Sequence, residues 1–318
     1  MRRFLIFCSF IAGLACAAQA SACDLCAIYR GEEAKVSRPG FNIGAFEQFT
    51  RFGTLQDGGK EVPNVAGQYL NSSITQFIAG YQWSGQFGLQ VNLPYIYRSF
   101  RRPAGFLTDK GTVSGLGDMS LTGNYRLYEN VTEDMIFIWS MSGGVKFPTG
   151  SSARIAEELN ETPPPPGAPE SGIHGHDLAL GSGSYDGIVG TNAVLHYSRV
   201  FVSASVQYAI RGTGDFGYRH DNNLNWSLKP GAFLFVSDDA TLGCQLAVTG
   251  ESKGRDTFQG SRVDDTGITT VFLGPELSFT WKEELSAGLG ADFPVLIDNT
   301  ALQIVPDYKI RAALVWRL

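Results

Sequence analysis

Two short constellations in the 318-residue chain hold the residue types that bind metals or enter redox chemistry. His174-Gly-His176-Asp177 follows the Pro163–Pro166 run, and two imidazoles with a carboxylate are donors that suit a divalent cation. Spaced by glycine in a polar stretch, the same residues also read as a solvated loop. Cys23-Asp-Leu-Cys26 is a C-x-x-C pair, compatible with a local disulfide, a redox couple or half of a metal site. Ala27 stands where haem attachment needs a histidine, and in an oxidising compartment a disulfide pinning the N-terminal segment is the plainer reading. A hydrolase needs a Ser and a His within hydrogen-bond reach, oriented by a third group. His196 has Ser203 and Ser205 on the next segment, but no G-x-S-x-G elbow accompanies them, so no enzyme is read here. No nucleotide, Mg²⁺ or haem motif is present either, and no cofactor is implied.

The elements that must position these residues begin after an export signal. Arg2 and Arg3 precede an apolar run from Phe4 to Ala15, and small residues at 18–22 offer cleavage sites. Without residues 1–22, which carry Cys8 and Cys16, 23 basic residues face 31 acidic ones. That balance argues against nucleic acid as a partner, for which a basic surface is needed. No later segment has 18 consecutive apolar residues, so no transmembrane helix is expected.

Alternation with period 2 decides the fold class. Between 305 and 318 the even positions are Tyr308, Ile310, Ala312, Leu314, Trp316 and Leu318, whereas the odd ones include Asp307, Lys309, Arg311 and Arg317. Span 284–298 sets Leu285, Ala287, Leu289, Ala291, Phe293 and Val295 against Gly288, Gly290 and Asp292. Spans 266–282, 199–211 and 86–99 repeat the pattern, and comparable runs lie near 71–84, 116–129, 134–149, 185–198, 223–237 and 240–254. The first run, 41–53, is the least regular, because Glu47 falls among its apolar positions. The count is twelve, and membrane strands need about 9–11 residues with apolar groups at alternate positions.

The connections alternate in length. Short turns near 84–85, 129–133, 198–199, 237–239 and 282–284 separate longer links at 54–70, 100–115, 150–184, 212–222, 255–265 and 299–304. Bacterial barrels have short periplasmic turns and long extracellular loops. Trp83, Phe87, Tyr197, Trp281 and Trp316 fall at the periplasmic ends of the oily faces, and Tyr95, Tyr97, Phe147, Tyr208, Trp226 and Phe293 toward the outer ends. Two aromatic belts are what lipid interfaces select. The opposite face then lines a lumen with Arg98, Asp118, Arg126, Lys146, His196, Arg211, Lys229, Glu251, Glu276, Asp292, Lys309 and Arg311. Lining charges set a pore's ion preference, and this mildly basic set suggests anionic or polar aromatic solutes. Cross-strand pairing that plugs the interior is the competing reading. Cys244 sits on an outward face between Leu242 and Leu246.

Three stretches carry a family likeness: Gly115-Leu-Gly-Asp118 running into MSLTGNYRLY, GGVKFPTG at 143–150, and LALGSGSYD at 178–186. They resemble the outer-membrane family named after the MetA pathway of phenol degradation. The resemblance covers roughly residues 115–211 and implies a barrel that passes small molecules, with no catalytic residue. Leu318 departs from the aromatic residue on which such barrels commonly end. The chain is therefore expected to be all-β: a signal peptide (1–22), a periplasmic segment (23–40) and an antiparallel up-and-down transmembrane barrel (41–318) in the outer membrane of a Gram-negative bacterium. Lipid, a small solute and, during insertion, the barrel-assembly machinery are its expected partners. A solute channel is the expected function, a non-conducting structural or metal- or ligand-binding barrel is the alternative, and loop 150–184 is the expected lid or constriction.

Overall fold

The computed structural model describes residues 39–318, apart from positions 133 and 283. The expected signal peptide and most of the expected periplasmic segment, with Cys23 and Cys26, lie outside the described residues.

Twelve long strands follow one another up and down: β1 (Gly40–Asp57), β2 (Tyr69–Gln82), β3 (Phe87–Ala104), β4 (Ser120–Val131), β5 (Met135–Lys146) and β6 (Asp186–Tyr197). The second half comprises β7 (Val200–Ile210), β8 (Asn223–Val236), β9 (Ala240–Lys253), β10 (Ile268–Trp281), β11 (Leu285–Asn299) and β12 (Gln303–Arg317). Each pairs antiparallel with its neighbour, and β12 returns to β1 in a ladder from Asn42↔Arg317 to Gln56↔Gln303. The sheet is thus closed, which satisfies backbone groups where lipid offers no hydrogen bonds. The expected spans match these strands to within a few residues.

One segment differs. Leu107–Leu116, read above as part of a link, is a strand that folds back on the outer half of β3, from Tyr95↔Leu116 to Ala104↔Leu107. Its outward residues are Thr108, Lys110, Thr112 and Ser114, with only Leu116, opposite Tyr95 at its end, apolar, so most of it lacks the lipid-facing signature. Gly105, at φ +62°, turns the chain between the two strands. Above the barrel, Tyr218–Arg219, Thr257–Phe258 and Ser261–Arg262 make a small three-stranded sheet.

The faces sort as the alternation requires. Leu289 is 58% exposed, Leu314 51% and Val206 44%, while Asp292 and Lys309 are buried. Trp83, Phe87, Tyr197, Trp281 and Trp316 are exposed at the short-turn end, and Tyr95, Tyr97, Tyr208 and Phe293 toward the long-loop end. An exposed apolar band of this extent is unstable in water and stable in lipid. Glu47 is the exception on the outward face; the hydroxyls of Ser73 and Thr75 on β2 donate to its two carboxylate oxygens. Cys244 is free and half-buried, on the outward side of β9.

Candidate functional site

The three stretches that carry the family likeness converge on one point at the outer end of the barrel. Lys146 ends β5; it stands opposite Asp186, the first residue of β6, and beside Ser120 of β4. Its ammonium lies 2.5 Å from Asp118 Oδ2 and 3.1 Å from Asp186 Oδ2, and it donates to Ser182 Oγ and the Ser184 carbonyl. Arg211 reaches the same Asp186 oxygen at 2.9 Å, and Ser184 Oγ donates to Asp186 Oδ1 at 2.7 Å. The remaining Asp118 capacity is filled by the N–H groups of Gly150 and Ser182, each at 2.9 Å. Lys146, Asp118, Asp186 and Arg211 are all at most 5% exposed. Charges this deeply buried persist only when paired and hydrogen-bonded. Close approach explains the glycines: a Cβ on Gly181 would sit 2.5 Å from Asp118 Oδ1 and 2.6 Å from the Gly150 backbone.

This cluster ties down both ends of the long loop between β5 and β6. The loop contains a 3₁₀ segment, Ala153–Asn160, and a single helical turn, Gly175–Leu178. Ile155, Ile173, Leu178 and Ala179 within it are fully buried. Ile173 and Leu178 pack on Phe52, Leu55, Leu70, Phe100 and Ile304, and Leu180 packs on Ile74 and Ile96. The inward faces of β1–β3 turn apolar toward their outer ends, where they meet the loop. Arg98 donates to the Ala179 carbonyl across the same interface. The expected lid is thus a folded plug seated in the barrel's mouth.

On its other side the plug meets the loops after β7 and β9. His174 Nδ1 lies 2.5 Å from Glu161 and its Nε2 3.0 Å from Asp265. His176 stacks 5.7 Å from His174, with Nδ1 2.9 Å from Glu158 and Nε2 3.5 Å from Asp177. Burial alone pushes the His174 pKa down, but the bonds to Asp265 and Glu161 outweigh it and raise it to about 11. His176 is likewise disfavoured as a cation by burial, yet Asp177 and Glu158 raise it to about 9. Glu158 and Asp265, pushed up by burial, are held down at about 2 by the histidines they face. These histidines are therefore imidazolium clamps, with carboxylates on both ring nitrogens. Among the described residues no cluster of three or more His, Cys, Asp or Glu is arranged to hold a metal ion. Deeper in the same region, Asp256 accepts from Tyr218 at 2.8 Å, His220 at 3.1 Å and Lys253 at 2.7 Å.

Below the plug the lumen is polar. Arg311 makes a bidentate pair with Asp292 at 2.6 and 2.8 Å and reaches Glu276 at 2.9 Å, while Lys229 lies 3.8 Å from Glu276. Lys309 sits 4.0 Å over the Phe272 ring. Arg126 pairs with Glu129 at the short-turn rim, where His196 packs between Phe201 and Phe233. Asp118, Lys146, Arg211, Glu251, Asp292 and Lys309 are buried, and carboxylates stand against most of the cations, whereas Asp307, on the inward face by alternation, sits at a bulge beside the outward Arg51. The lumen offers ion pairs where the sequence suggested a basic surplus. A cavity of about 680 Å³ opens on the outer side of the plug, lined by Arg102, Asp109, Glu157, His174, Asp265 and the proline run.

Sequence reasoning placed Asp118, Lys146 and Arg211 on the inward face and missed Ser182, Ser184 and Asp186, which complete their cluster. A signal for the plug was present: Phe52, Leu70, Ile74, Ile96 and Phe100 are apolar residues at inward positions, which a water-filled mouth would not select.

No protein-family model and no curated protein matches this sequence. Among solved structures the chain superimposes on an outer membrane channel from Pseudomonas putida F1 with a TM-score of 0.60 and 13% identity, covering 91% of this chain and 98% of that one. The β domain of the Bordetella autotransporter BrkA gives 0.46 with 10% identity over 88% and 100%, and the NanC porin 0.38 with 8% over 87% and 100%. The first likeness shows the architecture. Together with the apolar band and the closed ladder, it gives this chain the fold of an outer-membrane β-barrel.

Proposed function

We propose that the chain is an outer-membrane channel for small solutes, with the loop between β5 and β6 as the element that sets passage. The observation that carries this reading is a lumen walled by polar and charged side chains beneath a loop that is seated in the mouth by its own contacts, the Lys146 cluster and apolar packing on β1–β3, and is not a strand of the barrel wall. The motifs at 115–118, 143–150 and 178–186 support a member of the outer-membrane family named after the MetA pathway of phenol degradation. Because the lumen cations are paired, small neutral or aromatic polar solutes fit better than an anion-selective filter.

The seated plug favours a second reading, a barrel that does not conduct. Planar-bilayer recording separates the two. A channel gives discrete openings, with a reversal potential near zero in asymmetric KCl if neither ion is strongly preferred. A barrel silent at applied potentials of either sign, in the wild type and in a variant with the plug loosened, rejects passage.

A further inference from the structure

Above the outer aromatic belt, one side of the barrel carries a column of outward polar residues ending in cations. Along β3 the outward residues after Tyr95 and Tyr97 are Ser99 and Arg101, and the folded-back strand pairs Leu116, Ser114, Thr112 and Lys110 against them in that order. Arg101 and Lys110 therefore stand directly opposite one another on the same exposed face. Like charges in that relation repel and destabilise a sheet. On the neighbouring strands, Arg51 of β1 donates to Asn71 of β2 at 2.7 Å and lies 5.1 Å over the Tyr69 ring, and Asn71 donates to Ser99 at 3.3 Å. Asp307 Oδ2 lies 3.9 Å from Arg51, too long for a hydrogen bond, while its Oδ1 accepts from the Thr54 hydroxyl at 2.8 Å. Arg102 and Asp109, the next residues along, turn the other way and pair with each other at 3.0 Å, so the carboxylate beside the column does not neutralise it.

We infer that this face, built on Arg101, Lys110 and Arg51, holds the phosphorylated headgroup of an outer-leaflet glycolipid. Height and chemistry both fit. The cations begin four residues, or two outward positions, beyond Tyr97, where headgroups meet an aromatic belt that marks the end of the hydrocarbon layer. Phosphate oxygens relieve the Arg101–Lys110 repulsion with charge-assisted hydrogen bonds, and the Ser99, Thr112, Ser114 and Asn71 side chains offer partners to sugar hydroxyls and amides. A guanidinium stacked on Tyr69 is pre-oriented, so little conformational freedom is lost on binding. The inference requires only that the long loops face outward, and stands whether or not solutes pass through the lumen.

The test is native mass spectrometry of the full-length folded barrel in detergent with diphosphoryl lipid A, with the same lipid after dephosphorylation, and with inorganic phosphate alone. The wild type should retain the diphosphoryl lipid roughly thirtyfold better than the dephosphorylated one, the order that two surface cations contribute against an anionic lipid. Arg101→Glu/Lys110→Glu should lose that preference, and Lys282→Glu, a charge reversal at a periplasmic turn, should keep it. Arg101→Gln/Lys110→Gln serves if the reversal variant fails to fold, as judged by heat-modifiable gel migration. Equal retention of the two lipids, unchanged retention by the double variants, competition by inorganic phosphate at lipid concentrations, or dimers in place of lipid adducts would each overturn the assignment.

Discussion

The ammonium of Lys146 lies 2.5 Å from a carboxylate oxygen of Asp118, and both groups are removed from solvent at the outer rim of the barrel. One comes from the end of β5, the other from the approach to β4, and the loop that follows Lys146 returns through Ser182 and Ser184 to cover them. Removing the cation leaves Asp186 with Arg211 and Asp118 with only the neutral donors of Gly150 and Ser182. Lys146→Met is expected to destabilise the mouth by about 3–5 kcal/mol, the usual result of orphaning a buried charge. Trypsin should then cut at Arg154 in the folded barrel much faster than in the wild type. Equal cleavage rates would show that the cluster does not hold the loop.

A gentler change tests the packing alone. Gly181→Ala puts a methyl group 2.5 Å from Asp118 Oδ1, against backbone that cannot yield. A loss of about 1–3 kcal/mol is expected from such overpacking, read as a lower temperature of heat-modifiability, with the barrel strands intact by circular dichroism.

The clamps at His174 and His176 give the plug a pH dependence of definite sign. Both rings hold their protons more tightly in the folded loop than in an unfolded chain. Their contribution is therefore complete below about pH 6.5 and is lost as pH rises through about 9 and then 11. Glu158 and Asp265 contribute fully above their ordinary carboxylate range, and that contribution is lost as pH falls through about 2. Proteolysis of the loop should thus be slowest in mildly acidic buffer and quicken at pH 9–10, and His174→Ala/His176→Ala should cut fast at every pH and flatten the profile. Protection that is constant from pH 6 to 10 in the wild type would remove the imidazolium assignment.

The lipid band makes its own prediction. Leu289 faces outward near the middle of β11, and Leu289→Arg should cost about 2–4 kcal/mol of folding stability in vesicles, the range for a cation at the bilayer midplane. Leu289→Ala should cost much less. Similar costs for the two would mean that the residue does not meet acyl chains.

The strands were legible because one rule, apolar outward and polar inward at every second residue, repeats twelve times and is enforced by lipid. Even Glu47 could be recognised as an exception, although its partners Ser73 and Thr75 could not. The plug was not legible for a physical reason: its order comes from contacts between Asp118, Lys146, Ser182 and Asp186, scattered over about seventy positions, with no period to betray them. The same holds for Leu107–Leu116, a strand above the membrane with polar residues on the face it presents. His174 and His176 were noticed as metal donors, but which groups they face depends on Glu158, Glu161 and Asp265 arriving from elsewhere in the loops.

Passage of solute tests the account most directly. Proteoliposomes carrying wild-type protein or Lys146→Met are challenged with an isotonic panel of small neutral and aromatic polar solutes, and swelling is followed by light scattering. The account predicts slow, size-limited swelling with the wild type and distinctly faster swelling with Lys146→Met. Swelling indistinguishable from empty liposomes in both preparations would contradict it.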